Sequence, residues 1–77
     1  MHYTITTMKD FDGTQTLSLD RCGSQYMVGH YDKLTSTYTH KRFDTIEEAE
    51  AVFLMIAQCF IRCTHTAEAR AEMLKNA

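Results

Sequence analysis

The residues best suited to metal binding or nucleophilic chemistry are three cysteines and four histidines. Cys59, Cys63 and His65 lie close together in the chain. Their spacing, Cys-x-x-x-Cys-x-His, follows none of the common zinc patterns. Free cysteine on an apolar helix is usually a small buried hydrophobe, and that reading is preferred here. Cys22 with His30 or His40 would supply a thiol and a base, yet Cys22 flanks a tight turn and no third orienting group accompanies it. Glu47, Glu48 and Glu50 cluster at the start of a predicted helix, where carboxylates cap and complement the dipole rather than shuttle protons. Three scattered glycines cannot build a phosphate loop. No enzymatic activity, no cofactor and no metal are expected.

A second set of residues could bind rather than react. Tyr31, Lys33, Tyr38, Lys41 and Arg42 place aromatic rings beside basic groups. On an open sheet face, such a set stacks and holds single-stranded nucleic acid. The formal net charge of -2 argues against a broad polyanion grip. Residues 1–43 are slightly basic, whereas residues 44–77 are acidic through Asp44, Glu47, Glu48, Glu50, Glu68 and Glu72.

The elements that must position these residues can be read from periodicity and turns. The chain of 77 residues allows one domain, 1–77. Asp10-Phe11-Asp12-Gly13-Thr14 separates two alternating segments. A three-residue loop with Gly13 left-handed would pair Asp10 with Thr14, Thr7 with Leu17, Ile5 with Leu19 and Tyr3 with Arg21. A two-residue Gly23-Ser24 turn would pair Cys22 with Gln25, Leu19 with Val28 and Leu17 with His30. Both readings collect the aliphatic side chains on one face. They leave Thr4, Thr6, Thr16, Ser18, Asp20, Met27, Gly29 and Tyr31 on the other. A fourth strand is expected at about 36–43. A four-residue loop before it points Thr37, Thr39 and Lys41 inward, and one residue more points Tyr38, His40 and Arg42 inward.

From residue 44 the period changes. Asp44-Thr45-Ile46-Glu47 and Thr45-Ile46-Glu47-Glu48 both match a helix capping box. Ile46, Ala49, Phe53, Ile56, Phe60 and Cys63 form a helical stripe that should pack on the sheet. Val52, Met55 and Cys59 make a second stripe, and Leu54 and Ile61 lie on a third side, so the helix at 44–63 is apolar nearly all round. Such a helix is buried on more than one side. Thr64-His65-Thr66 is a weak break. The segment at 64–77 is then either a continuation or a second helix that folds back. The expected architecture is α+β: a four-stranded antiparallel meander (1–43) packed on one face by a long helix (44–63), with a short helical segment (64–77) at the C-terminus.

This layout of four strands and a helix resembles, in outline, the small dimeric single-strand-binding folds of transcriptional coactivators. That resemblance implies a homodimer and nucleic acid on the sheet. The basic excess such proteins use is absent here. The preferred expectation is a non-enzymatic protein-interaction module acting as a homodimer, a regulator or phage-type inhibitor that occupies a partner protein. Val52, Leu54, Met55, Cys59, Ile61, Met73 and Leu74 would form the self-association surface. The odd cysteine count, the unlike-signal N-terminus and the short apolar run from Ala51 to Ile61 point to the cytoplasm and away from a membrane.

Overall fold

Turn chemistry sets the order of the strands. A computed structural model describes residues 1–77, with β1 (His2–Lys9), β2 (Gln15–Cys22), β3 (Gln25–Asp32) and β4 (Thr37–Phe43) in the order β1-β2-β3-β4, all antiparallel. Gly23 takes φ +63 between β2 and β3, a value that costs glycine nothing, and Ser24 needs none. The tight turn pairs Cys22 with Gln25, Leu19 with Val28 and Leu17 with His30, as its sequence dictates.

The first hairpin departs from expectation. Tyr3 does face Arg21, but Met8 faces Leu17, Thr6 faces Leu19, and a bulge at Ile5 absorbs the one-residue slip. The cause lies in the loop. The Asp10 carboxylate accepts from the Gln15 backbone N–H (3.0 Å) and from the Thr14 hydroxyl (3.2 Å), while its N–H donates to the Gln15 carbonyl. The closing pair is therefore Asp10–Gln15, one residue wider than Asp10–Thr14. As a result Thr6 moves to the face expected for Ile5, and Met8 packs against the core. Tyr3 and Ile5, both expected in the core, remain substantially exposed on this edge strand.

Beyond β3, a four-residue turn pairs Asp32 with Thr37. Thr39 lies opposite His30 and Lys41 opposite Val28, so these residues face the helices, and Tyr38, His40 and Arg42 face outward.

Both helices lie on one face of the sheet. α1 (Ile46–Arg62) crosses β2 and β3, and α2 (Ala67–Lys75) lies along β4 and β3. Of the two candidate capping boxes the second forms: the Thr45 hydroxyl oxygen accepts from the Glu48 N–H at 3.2 Å. Thr66 caps α2 in the same way through the Ala69 N–H. Left-handed Cys63 (φ 54) and His65 (φ 67) reverse the chain, so the C-terminal segment folds back as a separate helix. The core consists of Leu17, Leu19, Val28, Phe43, Ala49, Phe53, Ile56, Ala57, Phe60 and Leu74. Cys63, expected on the packing stripe, is exposed at the helix end, because the reversal turns it away.

Candidate functional site

The self-association surface proposed from sequence divides in two. Leu74 is fully buried in the chain's own core, and Cys59 is buried with its Sγ 3.9 Å from the Met73 sulfur. Val52 is half-buried against the core and Met73 is half-buried under the α1–α2 corner. These four residues are occupied within the chain: α2 folds back so that its Met73 meets Cys59 and its Leu74 joins the core, and Val52 packs against that core. Leu54 (57% exposed), Ile61 (70%) and Met55 (38%) stay at the surface. Leu54, Gln58 and Ile61 recur at four and three residues, so they share one outward stripe of α1, with Ala51 one turn earlier and also exposed. The stripe runs from an acidic first turn (Glu47, Glu48) to a basic last turn (Arg62).

The proposed nucleic-acid contacts divide as well. Tyr31 faces Tyr38 across β3 and β4 on the open face of the sheet, where Arg42 also lies. The Tyr38 ring leans over Gly29, close enough that a Cβ there would sit 2.5 Å from its hydroxyl. It stacks on His40 with centroids 5.3 Å apart and planes at 19°. Burial raises the Tyr38 pKa, helped by the nearby Asp20 and Cys22. Lys41 points to the opposite face, where its ammonium donates to the Ala77 and Lys75 carbonyls. Lys33 sits in the β3–β4 turn. The open face is not wholly solvated: Asp20 and Met27 are each only 7% exposed, and His2 Nε2 lies 3.0 Å from Asp20 Oδ2.

The cysteine and histidine candidates do not converge. Cys59 Sγ lies 3.6 Å from His65 Nδ1, but no group of three or more metal-ligating side chains is placed to hold an ion. Cys63 is exposed and its thiol contacts only the Phe60 carbonyl.

A buried polar cluster that the motifs above do not include centres on Arg70. Arg70 is 5% exposed and stacks over the Phe60 ring at 4.9 Å. Its Nε and Nη2 donate to the Thr64 carbonyl (3.0 and 2.8 Å), Nη2 also to the Cys59 carbonyl (3.1 Å) and Nη1 to Gln15 Oε1 (3.1 Å). Asp10 Oδ2 stands 4.0 Å away. One guanidinium therefore ties together the end of α1, the reversal, β2 and the first hairpin; the Cys59 carbonyl that it meets also accepts from the Thr64 N–H. Gln15 Oε1 also meets His30 Nε2 at 2.8 Å. Burial, reinforced by Arg70 and opposed by Asp32 and Asp10, lowers the His30 pKa from its ordinary value of 6.5, which favours the neutral ring. A signal for this cluster exists in the sequence: Ala67, Arg70 and Leu74 share a helical face, which places an arginine on the buried stripe of α2.

Compared with protein-family models, with curated proteins and with solved structures, the chain finds no match. No helix is long and apolar enough to cross a membrane.

Proposed function

We propose that the protein is a non-enzymatic interaction module that pairs with a second copy of itself through the outward stripe of α1, and as that dimer occupies a partner protein as a regulator or inhibitor in the cytoplasm. The observation that carries this reading is the exposure of Leu54, Met55 and Ile61 on a helix whose other sides are already covered. Large side chains on one stripe are the anchors of helix–helix association. The charge pattern favours a second copy. Two antiparallel α1 helices set the acidic first turn of each beside the basic last turn of the other, and their dipoles oppose.

Sedimentation equilibrium at micromolar concentration tests it. The wild-type chain is expected at twice its monomer mass, and Leu54→Glu at the monomer mass with unchanged circular dichroism. A wild-type monomer throughout the range refutes the reading. Leu54 is 57% exposed, so its further burial contributes about 0.9–1.7 kcal/mol per copy; two-fold symmetry counts it twice, and Leu54→Ala alone should weaken the dimer by up to roughly 20- to 300-fold.

A second reading is supported by the Tyr38–His40 stack with Tyr31 and Arg42 on the open sheet face: binding of single-stranded nucleic acid. Titration of labelled single-stranded DNA at low and at physiological salt decides it. Salt-sensitive binding that is lost in Tyr38→Ala supports this reading, and no binding at low salt removes it.

A further inference from the structure

Between α2 and the helix-side face of β3 and β4 lies a cavity of about 330 Å³. That is at the small end of the ligand-pocket range. Its floor is made by His30 and Thr39, which face each other across the two strands and are 1% and 7% exposed. Its rim carries Asp32, Thr35, Thr37, Glu68, Glu72 and Lys75.

The hydrogen bonds at the floor fix the chemistry it presents. Arg70 can only donate, so the Gln15 oxygen that it meets is an acceptor, and His30 Nε2, bound to that same oxygen, carries the proton. Burial disfavours the charged ring, and with the proton on Nε2 the neutral ring presents a lone pair at Nδ1. Neither Nδ1 nor the Thr39 hydroxyl has a hydrogen-bond partner in the chain. The one sealed polar side-chain atom without a partner is Asp20 Oδ1, on the other face of the sheet, so the two floor groups open onto the cavity. The two residues are almost wholly buried, and these two polar atoms are what they leave open to the cavity. Around it stand three carboxylates and one ammonium, and that ammonium, Lys75 Nζ, lies 3.9 Å from Glu72.

We propose that this cavity binds a small organic cation bearing N–H donors, a guanidinium or primary ammonium group, with its donors on His30 Nδ1 and the Thr39 hydroxyl and its charge facing Asp32, Glu68 and Glu72. An anion meets the wrong sign at the rim. A neutral polyol can donate hydrogen bonds to the three carboxylates but gains no charge attraction from them. The site is separate from the α1 stripe, so it stands or falls independently of self-association.

The test is titration of the ¹⁵N-labelled full chain with agmatine, with sorbitol and acetate as neutral and anionic controls, read in amide and histidine-ring spectra. Agmatine is expected to give saturable shifts confined to His30, Thr39, Glu68 and Ala71, with the His30 Nδ1 resonance moving as its lone pair accepts. Thr39→Val keeps the strand and removes the hydroxyl, and Glu68→Gln removes one rim charge at the surface. Each should weaken agmatine by about fivefold or more. A short peptide with a single arginine, run beside agmatine, identifies the source: tighter peptide binding assigns the site to a protein side chain, and tighter agmatine binding to a free metabolite. Three results overturn the proposal: shifts that stay linear, shifts equal to those at Glu47, Glu48 and Glu50, or sorbitol binding as tightly as agmatine.

Discussion

Replacing Arg70 by methionine keeps the apolar stem of the side chain and strips its guanidinium. The loss can be worked from the contacts. Four N–H donations disappear, two of them to the shared Thr64 carbonyl, together with the charge opposite Asp10 at 4.0 Å. Hydrogen bonds to charged groups contribute about 1.5–3 kcal/mol each, but these share acceptors and do not add. Both side chains of the ion pair are more than nine-tenths buried, so solvent screening does little to soften the loss. Removing one member of such a pair costs about 3–5 kcal/mol, because the other is stranded. A chain of 77 residues has a total stability of roughly 4–12 kcal/mol, so Arg70→Met removes a quarter of it or more. At about 4–8 °C per kcal/mol for a domain this size, the melting temperature should fall by roughly 12–40 °C. Arg70→Lys should fall nearly as far, since an ammonium cannot fork to the Cys59 carbonyl and to Gln15 together. Adding Asp10→Asn to Arg70→Met should recover part of the loss by neutralising the stranded carboxylate. Thermal and urea unfolding by circular dichroism measure all three. An Arg70→Met chain melting within about 3 °C of wild type would refute the view that this guanidinium ties the reversal to the first hairpin.

Other perturbations have equally definite outcomes. The depressed His30 pKa means that the unfolded chain takes up its proton first as pH falls. The stability due to neutral His30 is therefore complete above pH 6.5 and is lost as pH drops below that value toward the folded pKa; the slope of melting temperature against pH just below 6.5 should flatten in His30→Gln. Cys63 holds a left-handed φ of 54 at the end of α1, so Cys63→Gly should stabilise the chain by about 0.5–1 kcal/mol in urea unfolding, and a destabilised variant would count against strain there. Gly29→Ala must push the Tyr38 hydroxyl aside. Because that is the free end of a mobile side chain, stability should change by less than about 1 kcal/mol, while the ring-current shift between Tyr38 and His40 collapses in proton spectra. Thr66→Ala removes the cap of α2 and should cost about 1 kcal/mol, read as a lower urea midpoint at unchanged slope.

Much of the architecture was legible because it rests on local rules. The Gly23-Ser24 turn and the alternation of Leu17, Leu19 and Val28 follow from a few neighbouring residues and form where the pattern places them, and the helix cap is Thr45, one of the two that the sequence offers. Where the structure departs from the pattern, one cause is a side chain inside a loop and the other is long-range. The wider Asp10–Gln15 closure moves the register of β1 by one residue, and the bulge at Ile5 returns it. Residues 37–42 alternate threonine and lysine with tyrosine, histidine and arginine, so neither face of β4 is the more apolar one. Its register is decided by the partners that receive it: Thr39 lies across from buried His30, and Lys41 reaches the C-terminal carbonyls.

The same division applies to the candidate surfaces. From the sequence alone, α1 carries more apolar surface than one sheet can cover, since that follows from counting residues around a helix. Which part of the surplus stays outside depends on the direction of α2. Once α2 turns back at Cys63 and His65, Leu74, Cys59 and half of Met73 are enclosed, and Leu54, Met55 and Ile61 are not. The arginine that holds this reversal gathers groups from β2, the first hairpin and the end of α1, which meet only when the chain is folded. Periodicity and turn chemistry are properties of neighbouring residues, so the sequence by itself determined the elements and the excess of apolar surface. Enclosure and polar satisfaction are properties of groups distant along the chain, so only the tertiary structure decided which face remains free, and that a buried histidine opens onto a cavity.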